Sequence, residues 1–278
     1  MSEGIIFYNY GKGAIARLAV GVYSLRKHYK GSVTILSDGE ESDELCKRFA
    51  ADARLGVDVR NAVFDVKKDK NHHYLSKCRL AEHTPYDVSL FLDADTITIG
   101  DLTPLLPLAL QHEFVVPQFS NWKSSGGTIA RRIQQWKTIK PKDIDAAIAF
   151  GPAVNTGVMA FTKTSNFMKD WFKIARKGRH LFIPDETSCQ VVLYKYPHKM
   201  VEWYYNASCR YDKCDDPEVR LIHYHGRKHC RDGLPFYGER WVKAYEEVAA
   251  LNIAGIQDWT PGTDRKLRHY LSTVNKLA

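Results

Sequence analysis

Apolar and polar positions along the first hundred residues switch repeatedly between a short continuous run and a helical period, the signature of strands that feed helices. Residues 4–8 are apolar, Asn9-Tyr10-Gly11-Lys12-Gly13 interrupts them, and Ile15, Leu18, Ala19, Val22 and Leu25 then recur at helical spacing. This reads as strand, glycine-containing loop and helix. Residues 32–37 (SVTILS) form a second strand closed by Asp38 and Gly39, residues 42–49 a helix capped by Ser42, and residues 57–63 a weaker strand. Two strand–helix units predict an α/β fold with a Rossmann-like, mostly parallel central sheet flanked by helices.

Further along, a helix over 73–83 ends before Pro85 and leads into residues 88–92, whose unbroken apolar character suits the middle of such a sheet. The apolar pattern continues through 96–110, where Pro104 and Pro107 limit helix length, and residues 114–116 form a short strand. The stretch 120–150 is basic, polar and glycine-containing, which predicts a surface loop and short helix acting as a mobile lid or acceptor-side insertion. Apolar alternation resumes at 154–161, followed by helices over 166–175 and 185–194, a loop-rich stretch at 204–217, a late strand at 219–224, and C-terminal helices over 239–251 and 264–277. No internal repeat or low-complexity linker divides the chain, so one domain over 1–278 is expected.

Composition narrows the class. With 44% hydrophobic and 26% charged residues, 18 Gly and 11 Pro, the chain is no collagen, coiled coil or disordered tail. Forty basic against 32 acidic residues give a net charge of +8, compatible with nucleic acid, an anionic membrane face or a phosphorylated substrate. Six cysteines without a CxxC pair indicate a reducing compartment. No run of about 20 apolar residues and no basic-then-apolar leader is seen, so a cytoplasmic protein is expected.

Candidate chemistry sits where strands end. In FLDADT, residues 91–96, an apolar strand meets Asp93 and Asp95, a costly arrangement unless a cation is near. Both carboxylates can reach one divalent ion whose other ligands are diphosphate oxygens; a solvated turn or helix cap is the plain alternative. In IHYHGRKH, residues 222–229, a strand delivers His223 and His225 ahead of Gly226, Arg227, Lys228 and His229. Imidazole can complete a coordination sphere and Arg or Lys can pair with phosphate, although one core histidine and a solvated basic turn would give the same letters.

Taken in order, these motifs resemble the GT-A fold nucleotide-sugar glycosyltransferases, most closely the family 8 group that includes glycogenin and bacterial galactosyl- and glucosyltransferases. The resemblance spans about residues 4 to 230. It implies a nucleotide-sugar-binding half over 1–118, an acceptor-side half over 119–235, C-terminal helices over 236–278, and sugar transfer with retention of configuration. It assigns Asn9, Tyr10 and Ala14 to the segment that cups uracil and ribose, and matches Ser24-Leu25-Arg26 to a family stretch that follows. Lys77 takes the place of a lysine approaching the donor. Asp93, Ala94 and Asp95 match the metal motif, and His223 its third protein ligand, with Gly226 and Lys228 in the donor segment after it. Asn155 in VNTGVMAF matches an asparagine near the transferred sugar, and Asp185 in PDETSCQ an aspartate that binds a sugar hydroxyl. The chain departs from the family pattern at Glu186, where glutamine is usual, at the glycine-rich Gly11-Lys12-Gly13 turn, and at Lys228-His229-Cys230, which puts lysine early and lacks the usual proline and aromatic residue. An outlying branch would read this way.

The function so implied is a metal-dependent transfer of a hexose from a UDP-sugar to a saccharide, glycoconjugate or other hydroxyl acceptor. Mn2+ or Mg2+ would be held by Asp93, Asp95 and His223, while Lys77, Asn155 and Asp185 carry the catalytic roles. No nucleic-acid partner is expected, and the basic C-terminal helix with Arg265, Lys266, Arg268 and His269 could give peripheral membrane contact. Trp122, Trp136, Trp203, Tyr204 and Tyr205 are candidates for stacking on sugar rings. The rival from another class is a nucleic-acid or anionic-surface binding protein, built on Arg131-Arg132, Trp136-Lys137 and Arg227-Lys228-His229. A nucleotidyltransferase is the enzymatic alternative, faintly suggested by the GKG turn.

Overall fold

The computed structural model describes residues 1–66, 71–120, 130–151, 153–181, 183–225 and 238–252. Gly226, Lys228, Trp122 and the helix expected over 264–277 lie outside them. The strands are β1 (Glu3–Tyr10), β2 (Val33–Asp38), β3 (Asp58–Asn61), β4 (Val88–Leu92), β5 (Thr96–Thr98), β6 (Phe114–Pro117), β7 (Val158–Thr162), β8 (Lys199–Val201), β9 (Ala207–Ser208) and β10 (Leu221–His223). Helices intervene at most crossings and a helix, Gly238–Ala250, extends the C-terminal part. The architecture is α/β, with a mixed, mostly parallel sheet flanked by helices, as the strand–helix periodicity predicts.

The described residues divide into two compact units. The first takes Met1–Gly4, Phe64–Phe91 and Thr103–Tyr205; the second takes Ile5–Val63, Leu92–Leu102 and the residues from Asn206 on. In the second unit the strand order is β3-β2-β1, all parallel, with Ile5 opposite Val33 and Tyr10 opposite Asp38. Every residue of β2 is buried, which is why its sequence lacks a polar alternate face. A separate three-stranded sheet, β5-β10-β9, completes this unit, with β10 antiparallel to β5 and parallel to β9. In the first unit the order is β4-β7-β6-β8, with β7 antiparallel and β8 parallel to β6. Phe114, Phe167 and Trp171 pack ring on ring there, the first two with centroids 3.9 Å apart.

Two expectations change. The helix expected over 73–83 is two short ones, His72–Lys77 and Leu80–His83. They break at Arg79, whose φ of −112° is not helical, and whose guanidinium donates to the Asp65 carbonyl at 2.8 Å and to Glu82. The second change concerns the basic stretch. Among its described residues, Ile133, Trp136, Ile139 and Ala147 are buried and pack with Ala153 and Val191. Ile133, Trp136 and Ile139 recur every third residue and turn one stripe inward, while Arg131, Lys137 and Lys140 are exposed. Charge on the outer face hid a core stripe, so the described residues 130–150 are anchored by one buried face rather than forming a bare surface loop, residues 121–129 lie outside the described ones, and Trp136, 1% exposed, is no sugar-stacking ring. Trp203, Tyr204 and Tyr205 are half-buried. Among the described residues no helix is long and apolar enough to cross a membrane.

Candidate metal centre and a buried carboxylate network

In the second unit, the end of β4 turns sharply before β5 begins. Thr96 Oγ1 donates to the Asp93 carbonyl at 2.7 Å and closes the turn, leaving Asp93, Ala94 and Asp95 half-buried at its tip. The antiparallel register places His223 of β10 directly opposite Thr96, and the Tyr224 amide donates to the Asp95 carbonyl at 2.8 Å. Backbone pairing thus fixes the imidazole beside the two carboxylates. His223 Nε2 lies 3.2 Å from Asp95 Oδ1 and 3.7 Å from Asp93 Oδ2. One ligand atom from each residue falls within 4.8 Å of the others, a spacing that one cation can bridge.

The donor set is two carboxylate oxygens and one imidazole nitrogen, which suits a hard or borderline divalent ion such as Mg2+ or Mn2+ rather than a thiophilic one. Asp95 remains ionised. Burial opposes its charge, but His223 and then Arg17 outweigh burial and hold its carboxyl well below the usual carboxylate range. The adjacent His225 is neutral, because burial and repulsion from His223 push its pKa down to about 3; its Nε2 lies 2.8 Å from Ser208 Oγ.

Asn206, just ahead of β9, was not visible as a site residue in the sequence, because only the β9–β10 pairing brings it to the cluster. His223 Nδ1 donates to Asn206 Oδ1 at 3.0 Å, which orients the ring so that Nε2 faces the carboxylates. Replacing Asn206 by leucine is expected to weaken Mn2+ binding by about 10- to 100-fold, while Asn206→Asp, which restores an acceptor, keeps it. Calorimetric titration with Mn2+ checks this; equal affinity in all three proteins would make the bond ordinary packing.

The helix Ile15–Arg26 backs the same turn. Gly21 comes so close that a Cβ there would sit 3.3 Å from the carbonyl oxygens of both Ala94 and Thr96. Ahead of this helix, Asn9 is buried at the end of β1; its Nδ2 donates to the Gly11 carbonyl at 2.9 Å and to Ser42 Oγ at 2.7 Å. Its Oδ1 is buried with no hydrogen-bond partner among the described residues, an acceptor suited to a bound N–H or O–H. Gly11 has φ +62°, which glycine adopts without strain, and a Cβ on Gly11 or Gly13 would meet none of the described residues within 4 Å. Tyr10 is exposed and Ala14, the N-cap position of the helix, is half-buried.

The first unit holds a separate network that gathers Lys77, Asn155 and Asp185. Lys77 Nζ pairs with Asp185 Oδ2 at 3.4 Å, and Thr156 Oγ1 donates to the same oxygen at 2.9 Å. Asp185 Oδ1 is buried with no hydrogen-bond partner among the described residues. Asn155 accepts from the Gly157 amide at 2.8 Å and donates to Glu186 Oε1 at 3.2 Å, while Arg132 donates to Glu186 Oε2 at 3.1 Å. Both acids lie in the first turn of the helix Pro184–Leu193, where the helix dipole favours negative charge. Trp171 anchors that turn, its Nε1 donating to the Asp185 carbonyl at 2.8 Å. Ile183, the residue before Pro184, has φ +48°, a left-handed conformation that costs a β-branched residue about 1–3 kcal/mol. Glu186 and Arg132 are the members that the glycosyltransferase resemblance gave no role, Arg132 having been a support of the nucleic-acid alternative. Glu186 adjoins Asp185, and Arg132 was hidden in a run of cations.

No protein-family model matches the chain, and no curated protein does. Solved structures share its fold. The apo structure of the bifunctional glycosyltransferase WbbM superposes with a TM-score of 0.65 at 14% identity, covering 93% of this chain and 51% of that one. This chain therefore spans about half the length of WbbM. The galactosyltransferase LgtC, solved with donor and acceptor sugar analogs, gives 0.58 at 16% identity over 88% of this chain and 95% of that one. Mouse xyloside xylosyltransferase 1 gives 0.56 at 12% identity over 80% and 97%. Identities this low carry the fold alone: the chain has a GT-A-like fold, similar to that of several glycosyltransferases.

Proposed function

We propose that the protein is a metal-dependent glycosyltransferase that moves a hexose from a UDP-sugar to a saccharide, glycoconjugate or other hydroxyl acceptor. The observation that carries this reading is the Asp93, Asp95 and His223 cluster at the end of β4 in a GT-A-like fold. In this reading Asp93 and Asp95 supply anionic oxygens, and His223 the nitrogen, for Mn2+ or Mg2+. When bound, that ion would supply Lewis-acid polarisation of the donor diphosphate and neutralise charge on the departing nucleotide. Asn9 Oδ1 offers its open acceptor to the nucleoside, with Tyr10 and Ala14 on the same loop. Ala94 lies between the two carboxylates, and Gly226 and Lys228 belong to the donor segment by resemblance.

Lys77, Asn155 and Asp185 are assigned to the transferred sugar on the same resemblance. Asp185 Oδ1 is a buried acceptor suited to a hydroxyl, and such a hydrogen bond strengthens as positive character develops at the anomeric carbon. Lys77, paired with the other oxygen, Asp185 Oδ2, balances the charge of that carboxylate. Membership of the family 8 group and retention of configuration rest on the resemblance as well. The nucleic-acid reading loses one of its supports, because Trp136 is buried.

The test is a thermal-shift and calorimetric titration of the purified protein against a panel of UDP-sugars with and without Mn2+. One donor is expected to stabilise the protein only when Mn2+ is present, by roughly 2.7 kcal/mol at a hundredfold excess over its Kd. Silence across the panel from a folded sample would leave the acidic pair a structural turn.

A further inference from the structure

Arg17 stands beside the Asp93, Asp95 and His223 cluster. It lies in the first turn of the helix Ile15–Arg26, which holds no acidic residue, and a cation there opposes the helix dipole. Its side chain is 19% exposed, and its Nη2 donates to the Gly13 carbonyl at 3.2 Å. Its Nη1 reaches within 3.8 Å of Asp95 Oδ2, while the other oxygen of that carboxylate faces His223. A fixed positive charge therefore stands one carboxylate away from a cluster suited to a divalent cation. On its own this is unfavourable to the cation, since like charges repel and Asp95 already shares its negative charge with Arg17. An anion reverses the balance, because a phosphate can accept from the guanidinium fork while it also neutralises the metal.

We propose that Arg17 couples the two ligands of the second unit, making divalent metal bind weakly alone and tightly together with a nucleoside diphosphate. This deepens the glycosyltransferase reading and rests on it. The consequence is a two-sided thermodynamic linkage: whatever factor UDP contributes to metal affinity, the metal contributes to UDP affinity, and Arg17 carries part of that factor. Arg17 also holds the carbonyl of Gly13, and a Cβ on Gly11 or Gly13 would meet none of the described residues within 4 Å, which leaves room for the anion beside them. A donor would then be met by a protein with few metal ions bound idle.

Opposite signs make the test sharp. Titrate Mn2+ alone, UDP alone, and UDP at saturating Mn2+ into the wild-type chain, Arg17→Gln and Arg17→Lys, with circular dichroism checking each fold. Arg17→Gln is expected to bind Mn2+ alone more tightly, by up to about tenfold, and to bind UDP with Mn2+ at least about tenfold more weakly. Arg17→Lys keeps the charge and loses the fork, so Mn2+ alone stays at the wild-type affinity and UDP with Mn2+ weakens by a smaller factor. Weaker Mn2+ binding by Arg17→Gln would make Arg17 a prop for Asp95 and overturn the coupling, and so would unchanged UDP affinity in both variants. A wild-type chain that binds neither Mn2+ nor UDP would instead overturn the underlying glycosyltransferase reading.

Discussion

Asp95→Asn is expected to lower metal-dependent sugar transfer by about a thousandfold, because a bound divalent ion contributes several kcal/mol of transition-state stabilisation and each 1.36 kcal/mol is tenfold in rate. Asp95 is the carboxylate on which the cluster converges. Its Oδ1 faces His223 at 3.2 Å, its Oδ2 faces Arg17 at 3.8 Å, and its carbonyl accepts from Tyr224. The amide keeps the shape and removes the charge. Mn2+-dependent release of UDP from the donor found in the panel is the measurement, and near-normal turnover would take Asp95 out of the metal site. The same substitution should change the acid limb of stability. The Asp95 carboxyl is held below its unfolded value of about 3.9, so its contribution is fully present above that pH and is lost as the pH falls further through the folded value. Acid unfolding of Asp95→Asn should therefore depend less steeply on pH in that window than acid unfolding of the wild type.

Lys77→Met is expected to cost about 3–5 kcal/mol of stability, the usual penalty for leaving one partner of a buried pair unmatched. The Lys77 side chain is 8% exposed and that of Asp185 is 2%, with 3.4 Å between their charged atoms. Removing the ammonium leaves the Asp185 carboxylate in a dry site with the Thr156 hydroxyl, which can offset only part of the desolvation. Adding Asp185→Asn to Lys77→Met removes the stranded charge, so the double variant should recover much of the loss. Urea unfolding free energies of the wild type, Lys77→Met, Asp185→Asn and the double variant give the coupling energy. A loss under about 1 kcal/mol for Lys77→Met would mean that the pair behaves as a solvated surface bridge.

Much of this was legible in the sequence where one cause dominates. The strand expected over 88–92 matches β4 because every residue there is buried, and burial leaves a continuous apolar run. The strand over 32–37 falls within two residues of the observed Val33–Asp38, which is likewise buried throughout, and the helix over 166–175 falls within two of Asn166–Lys177 because its buried positions recur at helical spacing. Legibility failed where tertiary pairing does the work. Strand β9 has two residues and β8 three, too short for any alternation to register. The stripe Ile133, Trp136, Ile139 was masked by the polar residues between its members and the cations Arg131, Arg132, Lys137 and Lys140 around them. In the candidate site, Asp93, Asp95 and His223 were readable because strand ends bring their chemistry into view. Arg17 and Asn206 were not, since neither carries a motif and each acquires its position from the fold around the turn. Glu186 was noticed only as a departure from a pattern, and its partners Arg132 and Asn155 were revealed by the geometry.

The register that sets His223 opposite Thr96 also dictates an order of events. The carboxylates leave the ribosome early and the imidazole arrives only with β10, after the whole of β6 to β9 has been made. Until then Asp93 and Asp95 are repelling neighbours with no third ligand, and β5 is a three-residue strand awaiting both antiparallel closure and its partner. Such long-range closure is slow and comes late, so nascent chains halted before residue 221 should hold no divalent ion tightly, and a chelator added during refolding should leave the early β1–β3 pairing intact while delaying the last step. The ion would act as a latch on a nearly finished unit, reporting that the C-terminal segment has come home.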